Sequence, residues 1–173
     1  MTKTDTLSGI VNVSAKIDLA NAISGILSGT DTYEHSVSKS ITDGTGSNQS
    51  TGVCGGSVTA TTGGVTLSLA DSADPFGTGG NDVPSEDPEG KKLHLLVIEN
   101  QDSTNYVTVG LGANPLAGFL AGTTPTARID AGGFLVAYWP AGNSSAMHDG
   151  VDDEITVTAN SASVILKIFY MFG

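Results

Sequence analysis

Residues 93–111 constrain the fold most, because two different strand patterns follow each other there with a polar segment between them. Residues 93–99 are almost continuously apolar and rich in branched side chains, which indicates a buried β-strand. Residues 106–111 place an apolar side chain at every second position, which is the period of a half-buried strand. Since residues 100–105 are all polar, the sequence predicts a β-hairpin with a long loop.

Short segments with strand-like alternation recur along the rest of the chain, and no segment has the length and period of a convincing helix. Residues 58–69 predict a second hairpin turned by two consecutive glycines, and residues 20–27 are compatible with a short helical turn. The 23 glycines and 6 prolines favour turns over helices. We therefore predict an all-β fold, a single-domain antiparallel β-sandwich that is jelly-roll-like, with about nine or ten strands over residues 1–173. Residues 1–20 form an N-terminal arm or an edge strand.

The last predicted strand, residues 164–172, is apolar on both of its faces. One face suits the core between two sheets, and the other carries Ile165, Phe169 and Met171. In a two-layer sandwich one face of a strand is normally in contact with water. We therefore predict that these three residues contact a loop or another subunit, and that the protein forms a homo-oligomer such as a trimer.

The charge of the chain limits its partners. Lys and Arg number 7 against 18 Asp and Glu, which gives a net charge of −11. This charge argues against nucleic acid and anionic membranes as partners, because phosphate binding requires clustered cations, whereas a basic protein partner is compatible with it. No apolar segment follows residues 1–5, and no window reaches the ~20 apolar residues of a membrane span, so we expect neither a signal peptide nor a membrane anchor.

No group of residues has the spacing of a catalytic or metal site. The acidic residues 149–154 lack the ligand order of a calcium loop and suit a solvated turn. His35, His94 and His148 are scattered, without a partner at metal-ligand spacing, and no Gly-x-Ser-x-Gly elbow occurs. The lone Cys54 suits a small packing residue better than a nucleophile. The sequence therefore predicts no enzymatic activity, no metal and no cofactor.

Two surface features point to binding. Loop 78–92 is long and rich in Pro and Gly. We therefore expect it to be a flexible charged loop or a docking surface that reaches a neighbouring subunit, and we expect the N-terminal segment to reach a neighbour in the same way. Tyr138 and Trp139 are adjacent, and they either stack on a sugar or pack in the core or an interface.

Loop 78–92 carries four acidic residues, Asp82, Glu86, Asp87 and Glu89.

Six short segments have a distinctive order and spacing. They are residues 37–49 (VSKSITDGTGSNQ), 67–77 (LSLADSADPFG), 95–100 (LLVIEN), 106–110 (YVTVG), 129–134 (IDAGGF) and 155–160 (ITVTAN). In this order, followed by the terminal strand, they resemble a family of small virion structural proteins of tailed double-stranded DNA bacteriophages. The resemblance spans most of the chain and implies a virion location after assembly in the host cytoplasm. It implies the major capsid protein or other virion proteins as partners, and it transfers no catalytic residue.

Three functions are compatible with these observations. The preferred one is a capsid decoration (cement) protein that binds the outer face of the head shell and stabilises it. Such a protein needs rigidity, solubility and contact area, and many copies on a lattice make weak contacts effective. The alternatives are a neck or tail component of the virion, and a carbohydrate-binding β-sandwich module that uses Tyr138, Trp139 and loop aspartates.

Overall fold

The computed structural model describes residues 8–23, 27–79, 82–120, 125–143 and 145–173. This part of the chain contains strands and turns but no helix, and therefore no helix with the length and hydropathy of a membrane-spanning segment. The backbone divides into two compact units, residues 1–42 and 43–173. The described strands are β1 (Ser8–Ile23), β2 (Leu27–Asp43), β3 (Gln49–Ser50), β4 (Gly52–Ala60), β5 (Val65–Ser68), β6 (Leu93–Asn100), β7 (Val107–Leu111), β8 (Thr126–Ile129), β9 (Phe134–Tyr138), β10 (Glu154–Ala159) and β11 (Val164–Phe172).

The first unit is a long two-stranded ribbon. All 16 residues of β1 pair antiparallel with β2, from Ser8 opposite Thr42 to Ile23 opposite Leu27. The predicted helical turn at residues 20–27 is therefore wrong, because residues 20–23 extend β1 and satisfy their backbone groups by pairing with β2. Of the predicted arm, residues 1–7 lie outside the described residues, and the remainder belongs to this ribbon.

The second unit contains two four-stranded antiparallel sheets, in the orders β4-β11-β6-β9 and β5-β10-β7-β8. In chain order from β4 to β11, β4 pairs with β11, β5 with β10, β6 with β9, and β7 with β8. This nested pairing across two sheets is the topology of a jelly roll. The predicted all-β sandwich is confirmed, with 11 strands in the described residues.

Neither predicted hairpin is formed. β6 and β7 lie in different sheets, and so do β4 and β5, so each connection crosses the sandwich instead of joining paired neighbours. The turn before β5 is present, since the Gly64 N–H donates to the Thr61 carbonyl at 3.0 Å. After β6, the buried Asn100 amide donates to the carbonyls of Asn105 (2.8 Å) and Asp130 (3.1 Å), which fixes the loop over the end of the sandwich. A polar loop thus marks where a strand ends, but it does not specify which sheet the chain enters next.

The inward faces of the two sheets form one apolar core. Tyr170 is its largest fully buried side chain; its hydroxyl donates to the Leu69 carbonyl at 3.0 Å, and its ring packs edge-on against Phe76. The inward face predicted for the last strand is confirmed, because every second residue from Val164 to Phe172 is buried. The core gives the outer faces of the sheets a fixed shape on which a binding surface can be built.

Candidate interface surfaces

The outer face of sheet β4-β11-β6-β9 carries an exposed apolar surface. Strand register places Phe169 of β11 beside Val97 of β6, which in turn lies beside Val136 of β9. Phe134 is 65% exposed, Ile165 56% and Phe169 37%. Exposed apolar residues clustered on one sheet face indicate an interaction site, whereas scattered ones do not. We call this surface the outer patch, and it consists of Val97, Phe134, Val136, Ile165 and Phe169.

Met171 does not contribute to the outer patch. It is only 3% exposed, and its register neighbour on β6, Leu95, is also buried. The predicted interface set Ile165, Phe169 and Met171 is therefore corrected, because Met171 is already covered within the chain. Alternation alone places all three residues on one face, but it gives no information about what lies over that face.

A shallow groove of about 370 Å³ runs along Phe169. It exists because β4 opposes this part of β11 with small residues, Gly55 opposite Phe169 and Ser57 opposite Lys167. Lys167 also pairs in register with Glu99 of β6, so opposite charges face each other across the two strands. The patch therefore combines an apolar area, space for a partner's side chains and one charged pair.

Loop 82–92 is held along the β4 edge and is not a free arm. Ser85 makes two hydrogen bonds of 2.9 Å with the Val53 backbone, and Lys92 exchanges two hydrogen bonds of 3.0 Å with Gly173. The loop covers an edge strand that would otherwise present unpaired backbone groups. These contacts attach the described part of segment 78–92 to the jelly roll, and its flexibility stays a prediction.

The four acidic residues of the loop do not form one site. Asp82 is half-buried. Its carboxylate accepts a hydrogen bond from the Thr78 hydroxyl at 3.0 Å, and its backbone carbonyl accepts one from the Cys54 thiol. Glu89 accepts a hydrogen bond from the Asp149 N–H at 2.9 Å, which links two loops. Glu86 and Asp87 are both exposed, and the Asp87 carboxylate accepts a hydrogen bond from the Glu89 N–H at 3.1 Å.

The acidic segment 149–154 serves the turn that contains it. Asp152 accepts hydrogen bonds from the His148 N–H (2.8 Å) and the Ser145 hydroxyl (3.2 Å), and Glu154 accepts one from the Asn114 N–H at 2.9 Å. Asp153 is buried, and its carboxylate accepts long hydrogen bonds from the Ala70 N–H at 3.3 Å and the Gly150 N–H at 3.2 Å. Within the described ranges no group of three or more His, Cys, Asp or Glu is arranged to hold a metal ion.

We expect metal chelation to leave the stability of the protein unchanged. The carboxylates of Asp152, Asp153 and Glu154 already accept hydrogen bonds from backbone and side-chain donors, so they need no cation to fix the turn. Melting temperatures with and without excess chelator should agree. A fall of several degrees on chelation, reversed by adding calcium, would contradict this expectation.

The remaining predicted residues pack as single side chains. His94 is buried, which lowers the pKa of its imidazole, and its Nδ1 has no hydrogen-bond partner in the described structure. Burial raises the pKa of the Cys54 thiol, so a reactive thiolate is disfavoured. Trp139 packs against the core and edge-on against Phe119, whereas the Tyr138 hydroxyl donates to the Asn48 side chain. The rings of Tyr138 and Trp139 are therefore engaged separately and do not form one flat stacking surface. The side chain of His35 lies outside the described residues.

A second surface was not anticipated from the sequence. The outer face of sheet β5-β10-β7-β8 contains a groove of about 620 Å³. Its floor is formed by threonines and a glycine at alternate strand positions, and its wall by prolines, so it presents methyl and hydroxyl groups without charge. The alternation of Thr156 and Thr158 in β10, and of Thr108 and Gly110 in β7, was the available signal for this face. Its main lining residues are Thr108, Gly110, Pro115, Pro125, Thr126, Thr156 and Thr158.

Comparison with known proteins adds no relative. No protein-family model, no curated protein and no solved structure matches this chain.

Proposed function

We propose that this chain is a structural protein of a phage virion, a decoration (cement) protein that binds the outer face of the head shell and stabilises it. The observation that carries the proposal is the outer patch, a contact surface displayed on a rigid jelly roll. Jelly rolls occur in viral capsid proteins, but they also occur in lectins, so the fold alone does not decide the function. The sequence resemblance to phage virion proteins favours the capsid role.

The charge of the protein supports a position on the outside of the shell. A net charge of −11 makes contact with packaged DNA unfavourable, because DNA is itself strongly negative. A basic region of the major capsid protein is the complementary partner. Each contact is weak on its own, and repetition on the lattice provides the stabilisation.

Neutralising the two exposed acids Glu86 and Asp87 of loop 82–92 is expected to weaken binding to the shell. We expect the double change Glu86→Gln and Asp87→Asn to lower the affinity for particles that lack this protein by about three- to tenfold, since each exposed charge contributes up to about 1 kcal/mol. The effect should shrink as salt is added. Occupancy is measured by titrating purified protein onto such particles and counting bound copies.

The matched control is the double change Asp43→Asn and Asp149→Asn, which removes the same charge from exposed positions outside the loop. The control should bind like the unmodified protein. Asp82 and Glu89 are left in place, because their hydrogen bonds hold the loop and their loss confounds binding with local unfolding. Equal occupancy of all three proteins at every salt concentration would exclude the loop as a docking surface.

A further inference from the structure

The groove on the outer face of sheet β5-β10-β7-β8 owes its shape to strand register. Thr156 of β10, Gly110 of β7 and Thr126 of β8 lie side by side in one row across three strands. Because glycine has no side chain, the middle of this row is a depression between two threonines. Thr158 and Thr108 form the next row, about 7 Å further along the strands. The sheet itself therefore builds the groove, on a rigid part of the jelly roll.

The groove offers hydrogen-bonding groups that the fold does not use. A hydroxyl can donate one hydrogen bond and accept two. Among the described residues, none of the four threonine hydroxyls in the groove has a partner within the protein. Their methyl groups and the two wall prolines add apolar surface beside these hydroxyls. The volume of about 620 Å³ lies within the range of small-molecule sites, about 300–1,000 Å³.

The charge around the groove selects an uncharged ligand. No described residue of the lining is charged. Arg128, beside Thr108 on β8, is already paired with Asp130 at 2.6 Å. Glu154, which precedes the groove on β10, accepts hydrogen bonds from the backbone and side chain of Asn114. An anion is repelled by the net charge of −11, and a cation finds no carboxylate in the lining.

We propose that this groove binds an uncharged oligosaccharide. A sugar ring has hydroxyl groups around its edge and C–H groups on its faces, which match threonine hydroxyls flanked by methyl groups and prolines. A peptide strand binds through backbone hydrogen bonds at a sheet edge, and the face of a sheet does not supply them. A second copy of this acidic chain is disfavoured by charge repulsion. Tyr138 and Trp139, which are engaged elsewhere, take no part in the site.

The groove and the outer patch can be occupied at the same time. The inner faces of the two sheets form one core, so their outer faces lie on opposite sides of the sandwich. Sugar binding is therefore independent of the proposed role in a virion. Only the direction of the groove rests on that role: on a particle bound through the outer patch, the groove faces solution.

The first test is an NMR titration of purified full-length protein labelled with ¹⁵N. The probes are three neutral oligosaccharides of equal length, maltopentaose, cellopentaose and penta-N-acetylchitopentaose, with pentagalacturonate as the anionic control. We expect at least one neutral probe to shift the backbone amide signals of Thr108, Gly110, Thr156 and Thr158 with a Kd of about 1 mM or lower. Pentagalacturonate should leave them unchanged. No shift at these amides with any neutral probe at about 10 mM would overturn the inference, and so would equal shifts with the anionic probe.

Filling the groove provides the matched variants. A Cβ atom at position 110 would lie 3.6 Å from the Thr126 methyl carbon, an ordinary contact, so Gly110→Val fills the depression without disturbing the strand. We expect it to weaken sugar binding by about tenfold or more. Thr156→Val with Thr158→Val keeps the shape but removes two hydroxyls, and should weaken binding by about three- to tenfold. Thr59→Val, at an exposed threonine of the other sheet, should bind like the unmodified protein.

Melting temperatures show that each variant remains folded, so a loss of binding is separated from misfolding. Unchanged affinity in Gly110→Val would overturn the inference. Shifts of the groove amides on dilution of the protein alone would also overturn it, because they would show that a second copy covers the groove. Gly110→Val should still occupy particles that lack this protein as the unmodified chain does. A failure of sugar binding is thereby distinguished from a failure of shell binding.

Discussion

Replacing Tyr170 with alanine is expected to lower the free energy of unfolding by about 3–5 kcal/mol, the range for large aromatic residues removed from a core. Tyr170 is fully buried at the centre of the sandwich, where its ring contacts Phe76 and Phe172. Its removal leaves a cavity between two sheets that cannot both move inwards. Urea unfolding followed by fluorescence or circular dichroism measures the loss.

Two further substitutions separate the parts of this effect. Tyr170→Phe keeps the ring but leaves the buried Leu69 carbonyl without its donor, which costs about 1–2 kcal/mol. Phe169→Ala, one residue earlier, removes a side chain on the outer face and should cost about 1–2 kcal/mol in the isolated chain, less than Tyr170→Ala, because Phe169 is partly exposed. Similar losses at positions 169 and 170 would show that the last strand does not have one buried and one open face.

The second large effect is a dependence of stability on pH that comes from Asp153. Burial, together with the nearby Asp149 and Glu154, raises the pKa of this carboxyl from 3.8 to about 6. The folded state therefore binds the proton more tightly than the unfolded state. The resulting stabilisation is complete below pH 3.8 and is lost as the pH rises through about 6. From this group alone the protein should be more stable at pH 5 than at pH 7.5 by about 1–1.5 kcal/mol, or roughly 3–6 °C in melting temperature.

The contribution of Asp153 is isolated by comparing pH profiles. His94 acts in the opposite direction, since its lowered pKa removes stability as the pH falls below about 6.5. Because His94 is present in both proteins, the difference in melting temperature between the unmodified chain and Asp153→Asn should follow Asp153 alone and vary between pH 4 and pH 7. Glu86→Gln, an exposed control, should give a constant difference. A constant difference for Asp153→Asn would contradict a protonated Asp153 at mildly acidic pH.

Most strand positions followed from the sequence, but strand partners did not. The alternation in residues 164–172 was sufficient to identify β11 and its buried face, because burial of one face produces a period of two wherever the strand lies. The pairing of β11 with β4 joins segments more than a hundred residues apart. No local pattern encodes such a contact, so nearby strands were assigned to hairpins that the jelly roll does not contain.

The candidate site was predicted in part. Ile165 and Phe169 are exposed as alternation indicated, and that they form an interface stays a prediction. Phe134 was missed because it belongs to β9, which the sequence does not identify as a neighbour of β6. The two hydrogen bonds between Ser85 of loop 82–92 and Val53 were not predicted, because such contacts depend on the folded position of β4. Composition described the polarity of the loop but not where it contacts the sheet.

A reconstruction of the intact virion at side-chain resolution tests the central proposal most directly. We expect density for this jelly roll at many lattice positions on the outer face of the head. Density for the chain only at the neck, the tail or the fibre tips would contradict the decoration role and favour a different structural position.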